Sequence, residues 1–370
     1  MSFSIPLMRP VLPSATALLP YLHRIDDARH YTNFGPLQHE LAHQLTQLQQ
    51  DWFGRSVHAV CVSSATLGLE LALSALNLPP ASKVAIPALT FVATATSVIR
   101  AGHVPIALDV DPETWLLSPD IATQALTQLP ELAAVMPVAT YGMPHTAQQW
   151  SDWYERTGVP VIIDAAGAIG AQATASGVTV VFSLHATKPL SASEGGLIFT
   201  EDENLADRLR CLTNFGIGHP DGGVGTNAKL SEYHAAVGLA DLQNWSINAA
   251  SRMRLHDAYV GALKDSCGWR VRFQKNTGLV APCIFSIRFE NQSIRFAVEQ
   301  ACAAAGIQTR RWYTPLVQNQ NLGHRVEPLG QTAEANSLEE TLVGLPFFMD
   351  LSPKDMERVI SVVSTVVGGH

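Results

Sequence analysis

The sequence predicts an α/β fold, with a large domain built on a mostly parallel sheet of seven strands and a smaller α+β domain at the C-terminus. Short apolar runs rich in β-branched residues alternate with longer helical patterns from about residue 57 onward. The runs are continuously apolar, as expected for strands that helices cover on both faces. Because this pattern changes after about residue 230, we assign residues 1–240 to the large domain and residues 241–370 to the small one.

Seven apolar runs are the candidate strands of the large domain. They are residues 57–63, 83–88, 104–110, 133–139, 159–164, 178–184 and 195–200. Helical patterns lie between several of them, at residues 65–77, 91–101, 118–129 and 145–157. Because strand–helix–strand units join parallel strands through right-handed crossovers, most of the sheet is predicted to be parallel. The last two runs are joined by only about ten residues, which is too short for such a crossover. A local antiparallel pair or a displaced edge is therefore expected there.

The C-terminal part has a different pattern, typical of a small α+β domain attached through a long helix. A helical stretch over residues 229–263 contains no turn signal. The runs VRFQK and LVAPCIFSIRF and the helical segment SIRFAVEQACAAAG follow it. A final helix is predicted over residues 352–366.

Composition excludes several classes of protein. The chain has 370 residues, of which 47% are hydrophobic and 15% charged, so it is not a disordered protein. Its net charge is -8 and it has no run of Lys or Arg, so no nucleic-acid partner is expected. Its five cysteines lie far apart without a CxxC pair, and its histidines are scattered. These patterns argue against a disulfide framework and against a metal site.

Targeting and phosphate-binding signals are also missing. No apolar run reaches the roughly 18 residues of a membrane span, and the N-terminal segment lacks the pattern of a signal peptide. We therefore expect a cytoplasmic protein with no membrane partner. A dinucleotide-dependent oxidoreductase would share the alternating strands and helices. The chain has no GxGxxG after its first strand and no GxxxxGK[ST], so this alternative loses its usual support.

One lysine lies where a parallel sheet binds ligands. Lys188 follows the run 178–184 in a loop of small residues, and Asp164 ends the run 159–164. Ligands bind outside the carboxyl ends of parallel strands. A loop lysine is more often simply solvated, but an amine paired with a carboxylate is what pyridoxal phosphate needs. Its aldehyde forms a Schiff base with the amine, and the carboxylate keeps its pyridine nitrogen protonated.

The first and second strands supply further candidate contacts for this cofactor. Ser64, Ala65 and Thr66 stand where a helix must start, and a helix N-terminus binds phosphate. A simple helix cap is the alternative, and the two roles are compatible. Ser183 offers another hydroxyl, and Phe91 is placed to cover the ring face, although a core position is the commoner role for a phenylalanine.

The motifs resemble those of a known family. The segments SSATLGLELAL, IPALTFVAT, VIIDAAGAIGA, FSLHATKPLSASEGGLIFT and GTNAKLSEYHAAVGL, in this order, are similar to motifs of the DegT/DnrJ/EryC1/StrS sugar aminotransferases. These are fold type I pyridoxal phosphate enzymes. The resemblance runs from about residue 30 to the C-terminus. It implies a large domain like that of aspartate aminotransferase.

The resemblance also implies roles for individual residues. Lys188 would be the Schiff-base lysine and the proton shuttle, and Asp164 would pair with the pyridine nitrogen. The other implied cofactor contacts are Ser64, Ala65, Thr66 and Ser183 at the phosphate, Phe91 on the ring, and Asn227 from the neighbouring subunit of a homodimer. Relatives that carry His in place of the lysine are dehydratases. Because Lys188 is present, transamination is favoured.

The sequence departs from the family pattern at one position near Asp164. The family carries His or Gln three residues after this aspartate, at the edge of the cofactor, where this chain has Gly167. Gly167 offers no side chain to the phenolic oxygen of the cofactor. This feature supports a second interpretation, in which the chain is a catalytically retired or regulatory protein on the same fold.

The resemblance is strongest to enzymes that aminate C4 of a nucleotide-linked 4-keto-6-deoxyhexose, commonly the dTDP form. L-Glutamate would be the amino donor, and the product would feed O-antigen, other glycan or secondary-metabolite synthesis. A 3-keto sugar or a keto-cyclitol is the alternative acceptor. The candidate substrate contacts are Asn33, Phe34, His185, Arg311 and Tyr313.

Overall fold

The computed structural model describes residues 3–218, 223–275, 280–322 and 325–369. The helices of these residues are α1 Ala15–Ala28, α2 Pro36–Phe53, α3 Ala65–Ala75, α4 Val92–Arg100, α5 Pro119–Gln128, α6 Ala147–Thr157, α7 Glu203–Leu212, α8 Glu232–Leu242, α9 Trp245–Cys267, α10 Gln292–Ala304, α11 Ala333–Thr341 and α12 Pro353–Gly369. The strands are β1 His58–Val62, β2 Lys83–Pro87, β3 Val104–Leu108, β4 Leu132–Val135, β5 Val161–Asp164, β6 Val178–Ser183, β7 Gly196–Thr200, β8 Val271–Phe273, β9 Ser286–Phe289, β10 Glu327–Pro328 and β11 Leu342–Gly344.

The large sheet has the strand order β1-β7-β6-β5-β4-β2-β3-β10. Strand β7 runs antiparallel to both of its neighbours, and the other pairs are parallel. The expected α/β fold with a mostly parallel sheet is confirmed, and so is the antiparallel pair formed by β6 and β7. The short link between these two strands turns back on itself, and it carries Lys188.

The sheet has eight strands among the described residues, whereas the sequence predicted seven. The additional strand, β10, pairs Glu327 with Ile106 and Pro328 with Ala107. The apolar pattern could not reveal it, because a two-residue strand has no periodicity. Proline also argues against a strand, except at an edge, where its missing N–H group is tolerated. Strand β10 lies at such an edge.

Alternate residues of the central strands point to two separate cores. Val180 and Phe182 of β6 belong to a core shared with α2, α6 and α8, whereas Val181 belongs to one shared with α3, α4 and α7. Leu197 and Ile198 of β7 divide in the same way. Because both faces of each strand are buried by helices, no polar alternation is possible. This accounts for the continuously apolar runs in the sequence.

The predicted single helix over residues 229–263 is wrong: it is two helices, α8 and α9. Asn244 has φ -102° and ψ 6° and interrupts the helical path. Its N–H group donates to the Asp241 carbonyl at 3.0 Å, which closes a turn. The break directs Trp245 into the large-domain core, while α9 continues to the three-stranded sheet β11-β9-β8. Neither Gly nor Pro marks this turn, so the sequence carried no strong signal for it.

Two helices precede the first strand, and one of them is fixed by a distant carboxylate. The side chain of Glu232, which is 1% exposed, accepts hydrogen bonds from the N–H groups of Leu37 and Gln38 at 2.8 Å each. These groups begin α2 and would otherwise lack partners. Within the described ranges, no helix combines the length and hydropathy of a membrane-spanning segment. The domain boundary after residue 240 stays a prediction.

Candidate active site

A cavity of about 450 Å³ opens at the carboxyl ends of the central strands; we call it the inner cavity. Nine of the residues that the sequence selected line it: Ser64, Ala65, Thr66, Phe91, Asp164, Ser183, His185, Lys188 and Tyr313. They come from five separate segments of the chain. The sheet therefore brings together residues that are far apart in sequence.

One end of the inner cavity is the N-terminus of α3. Ser64 caps this helix, and its Oγ accepts a hydrogen bond from the Leu67 N–H group at 3.2 Å. The N–H groups of Ala65 and Thr66 have no acceptor among the described residues. Two such N–H groups at a helix N-terminus form a binding site for an anion such as phosphate.

A close approach of backbones places this helix start against the sheet. A Cβ atom at Gly196 of β7 would lie only 2.6 Å from the Ala65 nitrogen. Only glycine at this position therefore allows β7 to lie so close to the start of α3. The Ser63 N–H group also donates to the Ala228 carbonyl at 2.7 Å, which ties the helix start to a second segment. The anion site is thus held by the strands rather than by a free loop.

Asp164 lies at the bottom of the inner cavity, where it is 4% exposed. Its Oδ2 accepts a hydrogen bond from the Thr94 hydroxyl at 2.8 Å, and its Oδ1 accepts one from the Ala166 N–H group at 3.1 Å. Burial raises the pKa of the Asp164 carboxyl, against the effects of these hydrogen bonds and of the Lys188 charge. A buried carboxylate of this kind gains most from a cationic ligand, such as a protonated pyridine nitrogen.

Lys188 reaches the same cavity from the turn between β6 and β7. The turn is held by hydrogen bonds from Lys188 N to His185 O at 2.9 Å and from Ala186 N to Ser193 O at 2.8 Å. The side chain is half-buried, and its Nζ has no hydrogen bond or ion pair within the described part of the chain. The amine is therefore available to react with an aldehyde.

An aromatic group forms the opposite wall. Tyr313 stacks on Tyr141, with ring centroids 5.2 Å apart and planes 21° from parallel. Phe91 lies 6.0 Å from Tyr313, and 52% of its surface is exposed at the cavity. Burial raises the pKa of the Tyr313 hydroxyl well above its ordinary value, so it stays protonated. Phe91 therefore presents an exposed ring to the same cavity as Asp164 and Lys188.

Comparison with known proteins assigns the chain. The model of the DegT/DnrJ/EryC1/StrS aminotransferase family matches residues 15–364. The chain belongs to this aminotransferase family. It is therefore an enzyme of the transferase class, as the sequence predicted, and the expected cofactor of the family, pyridoxal phosphate, is confirmed. The residues present fit that cofactor, because they combine a free lysine amine, a buried carboxylate and a helix N-terminus with unpaired N–H groups.

Individual relatives support the same assignment over the whole chain. Protein Rv3402c of Mycobacterium tuberculosis is 27% identical over 379 aligned positions, covering 97% of this chain and 89% of the relative. The structure of DesI in the presence of its TDP-sugar product is 31% identical, with a TM-score of 0.86 and coverage of 99% and 94%. A DegT/DnrJ/EryC1/StrS aminotransferase from Brucella abortus is 26% identical, with a TM-score of 0.84 and coverage of 95% and 96%.

Four of the selected residues lie outside the inner cavity of this aminotransferase. Asn33 and Phe34 form a turn with φ near +60° before α2, and Phe34 lines a separate cavity beside that helix. Asn227 is exposed on the surface, and its backbone forms an isolated antiparallel β-bridge with Asn214. Arg311 donates from Nη2 to the Glu339 carbonyl at 2.7 Å. A single protomer therefore does not bring these four side chains to the cofactor site.

Sequence reasoning missed a cation that does line the inner cavity. Arg310 is exposed there, with its guanidinium 4.4 Å from the ring centroid of Trp312. Successive residues of an extended segment point to opposite sides, so Arg310 lines this cavity, whereas Arg311 lines only a neighbouring one. The motif RRWYTPL contained both arginines. Its apolar pattern gave no indication of which one faces the ligand.

The structure gives a packing reason for Gly167. Its Cα lies beside the backbone of Gly142 and the side chain of Cys283, and a Cβ atom there would be 3.1 Å from the Cys283 Cβ. Gly142 has φ +92°, and a Cβ on it would be 2.6 Å from the Cys283 nitrogen. The chain segment carrying Cys283 thus occupies the space next to the two glycines. The local sequence around Gly167 gives no indication of this contact with Cys283, which is distant in sequence.

Proposed function

We propose that this chain transfers an amino group from L-glutamate to a nucleotide-linked keto-sugar, with dTDP-4-keto-6-deoxyhexose as the first candidate. The observation that carries the proposal is the placement of the Lys188 amine, the buried Asp164 carboxylate and the N-terminus of α3 in one cavity. Each matches a different part of pyridoxal phosphate: the aldehyde, the ring nitrogen and the phosphate.

The cofactor, when bound, supplies an aldehyde that captures the donor amine and a ring that accepts electrons from the broken C–H bond. In this proposal, Lys188 Nζ takes the proton from Cα of the donor and delivers a proton in the second half-reaction. The Asp164 carboxylate holds the ring nitrogen. The N–H groups of Ala65 and Thr66, with the Ser183 hydroxyl, hold the phosphate, and Phe91 covers the ring.

Two observations support a nucleotide-linked acceptor. A second cavity of about 390 Å³, which we call the outer cavity, shares Phe91, Arg310, Trp312 and Tyr313 with the inner one. Arg311, Gln320 and Asn321 extend its polar lining. A substrate with its keto carbon at Lys188 and an anionic diphosphate at Arg310 would occupy both cavities. DesI, which is 31% identical to this chain, was solved in the presence of a TDP-sugar.

The lining of the inner cavity suggests how the sugar is oriented. The Nδ1 of His185 lies 3.0 Å from the Thr187 hydroxyl, and its Nε2 lies 3.6 Å from a Glu194 carboxylate oxygen. We propose that His185 and the Tyr313 hydroxyl contact sugar hydroxyls. Both residues line the cavity that contains Lys188.

A homodimer with a shared active site is part of the proposal. Phe215, Ile217 and Val224 expose 55%, 66% and 98% of their surfaces, and Asn227 follows them closely in sequence. We take these side chains as part of the proposed interface, because large exposed apolar surfaces are typical of interaction sites. A second copy of the chain packed here would bring its own Asn33, Phe34 and Asn227 toward the cofactor site of the first copy.

The proposed compartment is the cytoplasm. The five cysteines are free, and four of them are buried. A protein that keeps this many thiols unpaired is typical of a reducing compartment. An amino sugar made there would serve as a building block for O-antigen, another glycan or a secondary metabolite.

A panel assay tests the proposal. The purified protein with pyridoxal phosphate is incubated with L-glutamate and, in parallel, a dTDP-4-keto-6-deoxyhexose, its 3-keto isomer and a keto-cyclitol. The aminated product is followed by mass spectrometry, and 2-oxoglutarate is measured with it. The proposal expects product with the first acceptor. Product with another acceptor would replace it, and cofactor binding without any product would favour the retired or regulatory protein that Gly167 suggested.

A further inference from the structure

A chain of buried hydroxyl groups ends on Asp164. The hydroxyls of Thr90 and Thr94 lie 2.8 Å apart, and the Thr94 hydroxyl lies 2.8 Å from Asp164 Oδ2. Thr90 and Thr94 are 0% exposed and Asp164 is 4% exposed. Water therefore does not reach the two hydroxyls, and a hydrogen bond in such surroundings is strong.

The number of protons that each group can donate sets the direction of these hydrogen bonds. An ionised carboxylate can only accept hydrogen bonds, and each threonine hydroxyl has a single proton to donate. When Asp164 is ionised, Thr94 donates to it, so the 2.8 Å contact between the two threonines needs Thr90 as its donor; the Phe91 carbonyl, at 3.4 Å, is a more distant acceptor for the Thr90 hydroxyl. The hydrogen bond from Thr94 to Oδ2 stabilises the ionised form of Asp164 and so opposes the rise in its pKa that burial causes.

Thr94 can influence the cofactor only through the Asp164 carboxylate. It lies in the first turn of α4, where its neighbour Ala93 lines the inner cavity and Thr94 itself does not. Within the described part of the chain, the Asp164 carboxylate accepts one further hydrogen bond, from the Ala166 N–H group at 3.1 Å. The orientation of one carboxylate oxygen thus depends on Thr94, and the orientation of the other depends on the backbone.

We propose that Thr94 is a positioning residue that holds Asp164 ionised and aimed at the ring nitrogen of the cofactor. The inference rests on the proposed role of Asp164. It adds that the affinity of the site for a pyridine nitrogen depends on a hydroxyl that never touches the cofactor. Removing a hydrogen bond to a charged group weakens the interaction it supports by about ten- to a hundredfold.

Thr96 provides a matched control on the same helix. Its hydroxyl donates to the Val92 carbonyl at 2.9 Å and makes no hydrogen bond to a titratable side chain of the described residues. Thr94→Val and Thr96→Val remove the same atom from positions two residues apart. Any difference between them reports the contact with Asp164 rather than a general effect on α4. Thr94→Ser keeps the hydroxyl and serves as the rescue variant.

The experiment compares two ligands that differ only at the ring nitrogen. The full-length chain and its variants, freed of cofactor, are titrated with pyridoxal phosphate and with 1-deazapyridoxal phosphate, in which carbon replaces that nitrogen. We expect Thr94→Val to bind pyridoxal phosphate about tenfold or more weakly and to bind the deaza compound as the unmodified chain does. Thr94→Ser and Thr96→Val should bind both as the unmodified chain does.

Two results would overturn the inference while leaving the proposed function intact. One is unchanged binding of both compounds by Thr94→Val, and the other is an equal loss of both, which would mean general damage to the site. An unmodified chain that binds pyridoxal phosphate no better than the deaza compound would overturn the role of Asp164, and the inference with it.

Discussion

The inner cavity has two walls of different origin. The cofactor wall consists of Ser64–Thr66, Asp164, Ser183 and Lys188, each at or just after the end of a strand of the large sheet. The substrate wall consists of Cys283, Arg310, Trp312 and Tyr313, which come from the C-terminal part of the chain. Every residue of the cofactor wall was found from the sequence, but only Tyr313 of the substrate wall was.

The two walls differ in how their positions are specified. Parallel strands align their carboxyl ends at one edge, so a motif that follows a strand is located as soon as the strand is recognised. The substrate wall depends on contacts between distant segments instead. Ile284 N donates to Tyr141 O at 3.1 Å, and Cys283 packs against Gly142 and Gly167. Variants of each wall can test whether this division also holds for function.

The largest effect is expected in the cofactor wall, from Lys188→Ala. The donor half-reaction with L-glutamate, followed by the change in cofactor absorbance, should slow by at least about 10³-fold, because the proton acceptor at Cα is lost. Lys275→Ala is the matched control, since that lysine pairs with Glu113 at 3.2 Å on the surface. A near-normal rate in Lys188→Ala would remove this residue from the mechanism.

Asp164→Asn should change cofactor affinity and stability in opposite directions. Burial raises the pKa of Asp164 in the folded state above its ordinary value of 3.8, so its ionised form opposes folding as the pH rises. The cofactor-free variant should therefore unfold at a higher temperature than the unmodified chain at neutral pH, and the difference should vanish below about pH 3.8.

The same variant should bind pyridoxal phosphate about a hundredfold more weakly, since an amide cannot pair with the cationic ring nitrogen. Calorimetry of the cofactor-free proteins and a cofactor titration check the two halves of this prediction. A less stable Asp164→Asn protein at neutral pH would mean that the folded protein stabilises the charge of the buried carboxylate even without the cofactor.

Arg310→Met tests the substrate wall, with a smaller expected effect. The KM for the keto-sugar should rise about tenfold with kcat little changed, because one charge-assisted contact with the diphosphate is lost. The donor half-reaction should be unaffected. Arg100→Met is the control, since its guanidinium pairs with Glu70 at 2.7 Å on the surface. A slower donor half-reaction in Arg310→Met would instead place the carboxylate of the amino acid at this arginine.

The smallest effect is expected where the two walls meet. Gly167→Ala puts a Cβ atom 3.1 Å from that of Cys283, and overpacking of this kind lowers the free energy of unfolding by about 1–2 kcal/mol. In a Cys283→Gly background the same substitution should lower it by less. Chemical denaturation of the four proteins gives the coupling between the two positions. Strictly additive effects would show that Cys283 is not the reason for glycine at position 167.

The sequence located the elements that short-range patterns define. The seven predicted strands agree with β1–β7 to within a few residues, because each is buried on both faces. The break at Asn244, which separates α8 from α9, and the edge strand Glu327–Pro328 were missed. Both depend on distant partners: Trp245 fills the large core, and β10 completes a ladder with β3.

The same limit applies to the residues assigned to the substrate. Arg311 was selected from its motif and lines the outer cavity, whereas the inner cavity is lined by Arg310, because the pairing of Arg310 with Gly344 decides which side chain faces inward. Asn33 and Phe34 lie in the turn before α2, and the first N–H groups of that helix donate to the Glu232 carboxylate. Their proposed contact with substrate needs a second subunit, which no pattern within one chain can position.

Borohydride reduction of the protein with bound pyridoxal phosphate tests the central claim most directly. Reduction makes the bond between the aldehyde carbon and the lysine nitrogen permanent, and mass spectrometry of the digested protein then identifies the modified peptide. The chain has six lysines to choose from: Lys83, Lys188, Lys229, Lys264, Lys275 and Lys354. We predict the phosphopyridoxyl group on the peptide that contains Lys188. Its attachment to any other lysine, or its absence from all of them, would contradict the account.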